Sequence, residues 1–256
     1  MGSGEKITRT LRFYGKKRGY YCINNIDLLA SDLFFLMEDW RNQTTNQYLY
    51  VYPEIMKEEE FHKSLQKLNG EILVKRHMLE DPFEYRGVRE YQPFDDIRSV
   101  NWKATAKTGH LKVNQKNYTA MQTIRIFMNL EDKGPWKKDT EVEKCLRMTM
   151  GIAAFFLAQG IRVSCYTNGK DILTDEPIEL QGLSGIAQLD LLGKALARFD
   201  INKPPYAFVS MFREKVLEEV DGFFTFFVSP NEYDDFKALL VECDSRRMEY
   251  HWYHVE

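Results

Sequence analysis

No apolar run in this 256-residue chain is long enough to cross a bilayer as a helix. The longest wholly apolar stretch, Ile152 to Ala158, is far short of the about 20 residues a span requires. Cysteine is sparse. Cys22, Cys145, Cys165 and Cys243 lie far apart with no Cys-x-x-Cys pair, which excludes a zinc-ribbon spacing and a dense disulfide framework and leaves reduced thiols as the expectation. Neither sign of charge is in excess. Lys and Arg total 35 against 38 Asp and Glu, for a net charge of −3. A nucleic acid or an anionic membrane surface calls for a strong basic excess, so neither is expected as the main partner. Catalytic signatures are missing as well: there is no Gly-x-Gly-x-x-Gly, no phosphate loop ending in Gly-Lys-Ser/Thr and no Gly-x-Ser-x-Gly elbow. Gly182-Leu183-Ser184-Gly185 has the wrong spacing for the elbow. His251 and His254 fall in a strand-like run, where a spacing of three puts them on opposite faces and unable to share a metal. An enzyme is therefore not expected. Met1-Gly2-Ser3-Gly4 reads as an added leader.

What is present suits a folded chain with two rhythms. Apolar residues make up 44% and aromatics 14%, enough for a substantial core. The first third reads as strands: Ile7–Tyr14, Tyr20–Ile23, a buried-type run within Asp32–Asp39, and Gln47–Tyr52 closed by Pro53. A helix over Glu54–Leu68 follows, with Ile55, Phe61, Leu65 and Leu68 as its core positions and Asn69-Gly70 as its stop. Beyond residue 120, strands and helices alternate. Strands are expected at Gln122–Leu130, Ile161–Tyr166 (closed by Asn168-Gly169), Tyr206–Ser210, Phe223–Val228 and Met248–Val255. Helices are expected at Thr140–Gln159, Ser184–Phe199, Arg213–Val220 and Asn231–Val241, the last capped by Ser229 or Asn231. The fold class is thus α/β plus β: a β-rich, sandwich-like subdomain over 1–80, then a mostly parallel, Rossmann-like sheet flanked by helices over 81–256, with 81–120 as connector.

Tyr85 to Val113 is the most informative stretch. It sets Arg89, Asp95, Asp96 and Arg98 among Tyr91, Trp102 and Lys103. Arg can hold carboxylates bidentately, and such pairs fix loop geometry. Asp95 or Asp96 could cap a short helix beginning near Ile97. Three readings stay open on the residues alone: a salt-bridged loop joining the two parts, with Trp102 buried between them; a binding site for an anion or partner; and paired-carboxylate catalysis.

The same stretch resembles the signature of the family known as domain of unknown function 58. Gly87, Arg89, Tyr91, Pro93, Asp95, Arg98, Trp102, Ala106, Leu111 and Val113 fall on it in register. Phe94, Thr105 and Lys107 depart from the usual Gly, Ser and Arg. Arg18-Gly19-Tyr20, Ser31-Asp32-Leu33-Phe34 and Val51-Tyr52-Pro53 fit the flanks, so the resemblance extends along nearly the whole chain. It implies a β-rich region followed by a von Willebrand factor type A-like domain, and no established enzymatic activity. It also implies membrane anchoring through segments outside this chain, with the domain facing the cytoplasm. The implied role is an adaptor for a MoxR-type AAA+ ATPase and its client proteins. Type A domains often hold Mg²⁺ on a loop after the first strand, where oxygen ligands suit a hard cation. Here that place reads Asn129-Leu130-Glu131-Asp132-Lys133, a degenerate version in which only Glu131 and Asp132 could ligate and Lys133 brings its own positive charge. No cofactor is expected; Mg²⁺ at this loop, in a metal-dependent ligand-binding domain, is the alternative.

Overall fold

The structure is a computed structural model that describes residues 8, 10, 12–31, 36–78, 85–91, 100–116, 123–131, 139–217, 223–230 and 232–255. Its elements run β1 (Gly19–Ser31), β2 (Glu38–Val51), α1 (Glu59–Met78), β3 (Tyr85–Glu90), α2 (Trp102–Thr108), β4 (Lys112–Lys116), β5 (Thr123–Met128) and α3 (Asp139–Ala158). They continue as β6 (Val163–Lys170), β7 (Pro177–Leu183), α4 (Leu189–Ala197), α5 (Phe208–Leu217), β8 (Phe223–Ser229), α6 (Asp234–Ser245) and β9 (Glu249–His254).

Five strands form one sheet in the order β7-β6-β5-β8-β9. Pairings β5–β6, β5–β8 and β8–β9 are parallel, and β7 closes one edge antiparallel to β6. The period of two along each strand divides the core in two. Ile124, Ile126 and Met128 of β5 join Phe224, Phe226 and Val228 of β8 on one face, under α1, α3 and α4. Phe127 and Phe227 point the other way, into an aromatic cluster with Phe208 and Phe212 of α5 and Phe236 of α6. Near-continuous burial is what a sheet covered on both faces demands, and β5 and β8 have the apolar runs that meet it. α1 packs onto the first face through Phe61 and Leu65, and Gly151 of α3 makes room for it: a Cβ there would lie 2.8 Å from the Phe61 ring.

β1 and β2 form a separate antiparallel hairpin, in register from Gly19↔Val51 to Ser31↔Glu38. A register shift interrupts it between Ile23 and Asn25. Asn46, at φ 46°, takes up the left-handed turn that this irregularity requires. Among the described residues, the base of the hairpin meets the α/β part. The Arg18 side chain is 7% exposed; Nη2 pairs with Glu143 of α3 at 2.9 Å. Nη1 donates to the carbonyls of Leu196 and Phe199 at the end of α4, at 2.9 and 3.1 Å. Leu196 O otherwise takes a 3.3 Å bond from Phe199 N–H, so the guanidinium adds a donor at the end of α4 and ties the hairpin to it. Tyr52 completes the joint, donating to Asp190 and lying where a Cβ at Gly193 would collide with its ring.

The structure corrects several expectations. Among residues 8, 10 and 12–14 there is no strand. Leu36 and Met37, expected within a buried run, are exposed. Residues 40–46, not expected as strand, pair with β1 as part of β2. α1 begins at Glu59 and runs through Asn69-Gly70 to Met78. β6 likewise continues through Asn168-Gly169, because Gly169 leaves the space that the Phe199 ring occupies. Tyr206–Ser210 is not a strand: α5 starts at Phe208, whose spacing to Met211 and Phe212 is helical and faces the aromatic cluster. α6 starts at Asp234, with Asp234 and Asp235 in its first turn and neither Ser229 nor Asn231 as its cap residue.

Candidate functional site

The strands of the parallel sheet end together on one edge. The chain leaves β5 toward β6 on one side, and β8 sits on the other, so the crevice between β5 and β8 is the topological switch point. Asn129, Leu130 and Glu131 follow β5 there. Asn129 N–H donates to Val228 O at 2.9 Å, which extends the β5–β8 ladder by one bond. Asn129 Oδ1 accepts from Glu131 N–H at 3.0 Å and from Asn168 Nδ2 at 3.3 Å. Asn168 Oδ1 accepts from Leu130 N–H at 2.9 Å, while its Nδ2 also donates to Tyr206 O at 3.0 Å. Glu131 Oε1 accepts from Phe208 N–H, the first amide of α5, at 3.2 Å, a placement the helix dipole favours. The loop after β5, the end of β6 and the loop before α5 are thus held by two amides and one carboxylate.

This arrangement fits a metal poorly. Asn129 Oδ1, Asn168 Oδ1 and Glu131 Oε1 already accept N–H groups. The remaining buried atom, Asn129 Nδ2, is a donor with no partner. Asp132 and Lys133 lie outside the described residues, and among those described no three His, Cys, Asp or Glu side chains come together. Cys145 and Cys165 lie in the core, where burial pushes their thiols up to about 12.

The signature stretch builds a second, smaller unit. β3 and β4 pair antiparallel, with Arg89 opposite Val113, and Tyr91 N–H donates to Leu111 O at 2.9 Å. Between them lies α2. Its cap is Asn101, whose Oδ1 accepts from Ala104 N–H at 2.9 Å, and Gly109 at φ 73° ends it. The short helix expected near Ile97 lies outside the described residues, and α2 begins at Trp102. Asp95, Asp96 and Arg98 lie outside the described residues. Thr105 explains one departure from the signature: its Oγ1 accepts from Lys112 N–H at 3.0 Å, a bond that Ser could make equally well. Trp102 is 66% exposed rather than buried between two parts, and Lys103 and Lys107 are exposed beside it. α2 itself buries no residue.

A crevice of about 670 Å³ lies where the hairpin meets α3, lined in part by Lys16, Lys17, Arg18, Glu54, Glu143 and Arg147. Arg147 pairs with Glu54 at 3.1 Å. Its charges are mixed, so it is not a polyanion site. The sequence reading did not single out Arg18 as the joint, nor the Asn168 bridge and the Tyr52–Asp190 contact. Only Arg18-Gly19-Tyr20 and Val51-Tyr52-Pro53, as flanks of the signature, pointed toward them.

An open α/β sheet with a rigid loop edge, preceded by a β–α–β unit, defines the class of this chain. Residues 87–186 match the family model described as "Protein of unknown function DUF58", a span that runs from β3 through β7. Over that span, which is less than half of the chain, it is similar to the DUF58 family. No curated protein and no solved structure gives a significant match.

Proposed function

We propose that this chain is a non-enzymatic interaction module, part of a membrane-anchored adaptor that works with a MoxR-type AAA+ ATPase in the assembly or maturation of client proteins. Its α/β half is then von Willebrand factor type A-like. The anchor lies in segments outside this chain, and the domain faces the cytoplasm. The observation that carries this reading is the edge at the switch point. Its polar side chains are spent on holding loops together, with two amides and a carboxylate tied to backbone groups, as suits a shaped docking surface more than a reacting centre. Support for the type A assignment comes from the placement of Asn129 directly after the first, central strand of the sheet, where the resemblance puts the metal loop.

The test is binding of the purified cognate ATPase to this chain, with ATP and with ADP, by titration calorimetry. Saturable association in either nucleotide state, weakened by Glu131→Ala, is the expected result. No association at high micromolar concentration would overturn the reading. A thermal shift with Mg²⁺ that Glu131→Ala abolishes would favour a metal-dependent ligand binder instead.

A further inference from the structure

The outer part of the β1–β2 hairpin carries apolar side chains on both faces. On one face Leu29 sits directly opposite Trp40; on the other are Leu28, opposite Arg41, and Ile26, opposite Gln43. All four of these apolar residues are exposed, Trp40 at 65%. Leu36 and Met37 add exposed apolar area at the same end. We propose that this end of the hairpin inserts into the interface of an electrically neutral phospholipid bilayer, an inference that goes beyond the adaptor reading and does not rest on it.

Three observations choose the occupant. First, a flat protein surface would cover one face of a two-stranded ribbon, whereas a bilayer interface surrounds it. Second, among the described residues β1 and β2 pair only with each other, so the outward N–H and C=O groups of both strands need water or headgroups. That confines the ribbon to interfacial depth, the level at which tryptophan is enriched. Third, Asp27, Glu38 and Asp39 outnumber Arg41 among the described charges at this end. That excess opposes both an anionic surface and tip-to-tip contact with a second copy, and it suits the choline groups of a zwitterionic lipid.

The test is flotation of this chain with phosphatidylcholine vesicles and with phosphatidylcholine–phosphatidylglycerol vesicles. The two doubles Leu29→Ser/Trp40→Ser and Ile26→Ser/Leu28→Ser strip one face each. The expected result is binding to phosphatidylcholine that each double lowers by roughly tenfold or more. Trp40→Phe, which keeps apolar area, and Trp102→Ser, on a different unit, should bind like the parent. Circular dichroism checks that the doubles, which change exposed positions only, keep their fold. Several results would overturn the proposal: no flotation of the parent, flotation only with phosphatidylglycerol, or flotation of both doubles equal to the parent's. So would loss from one face alone, which indicates a flat partner, or a dimer in sedimentation that the doubles dissolve while vesicles stay unbound.

Discussion

Strands β8 and β1 are both aromatic and β-branched in part, yet they sit in opposite surroundings. From Phe224 to Ser229 every residue of β8 is buried, while from Asn24 to Ser31 every residue of β1 is exposed. The difference lies in what covers them. β8 has a parallel neighbour on each side and helices on both faces; among the described residues β1 has one neighbour and no helix packed on its outer half. Strand composition alone does not say whether an apolar side chain serves a core or a contact. Coverage decides it, and coverage is set by elements distant in sequence.

The contrast can be tested by substitution. Phe227→Ala, at the centre of the aromatic cluster, should cost about 3–5 kcal/mol in urea unfolding, since a fully buried ring leaves a cavity that rigid neighbours cannot fill. A loss near zero would mean that the two regions are not energetically distinct. Arg18→Ala should cost about 2–3 kcal/mol, less than a fully buried pair because Glu143 is part-solvated. The same change should speed proteolysis within the hairpin while α/β helicity persists; parallel loss of both would show the hairpin and sheet to be one cooperative unit. Trp102→Ala and Trp40→Ser should each stay within about 0.5 kcal/mol of the parent in the same assay, as exposed positions do.

The smallest effect concerns pH. Burial holds the His251 imidazole below its ordinary 6.5, outweighing the opposite pull of Glu71. As pH falls below 6.5 the unfolded chain takes up a proton that the folded chain resists, so stability drops until the folded histidine also protonates. His251→Gln should therefore flatten the loss of stability between about pH 7 and 5, read from urea midpoints. An unchanged slope would assign that loss to other groups.

The α/β half was largely legible because its helices and strands obey their own periods. α3 and α4 were read from spacing, and Leu192 and Leu196 are fully buried as that spacing implies. β7 was not read at all: it lies at the sheet edge with only Ile178 and Leu183 buried, too sparse a pattern to register. Tyr206–Ser210 misled because β-forming residues there serve the first turn of a helix. Residues 40–46 misled the other way. They are polar because the strand they form has water on it, a condition no local pattern reveals. At the candidate site, Asn129 and Glu131 were noticed as members of a degenerate metal loop, with Glu131 a possible ligand. Their actual partners, Asn168 and Phe208, lie 39 and 77 positions away in sequence and could not be paired by inspection.

The Arg18 joint has a mechanical consequence. The hairpin is a lever with its fulcrum at the end of α4. Its 13-residue strand reaches about 40 Å at about 3.4 Å per residue, so a tilt of about 10° at the guanidinium sweeps the far end through about 7 Å. A shift in α4 too slight to disturb the core would be magnified at that end, which makes the position of one helix terminus a setting for where the ribbon points.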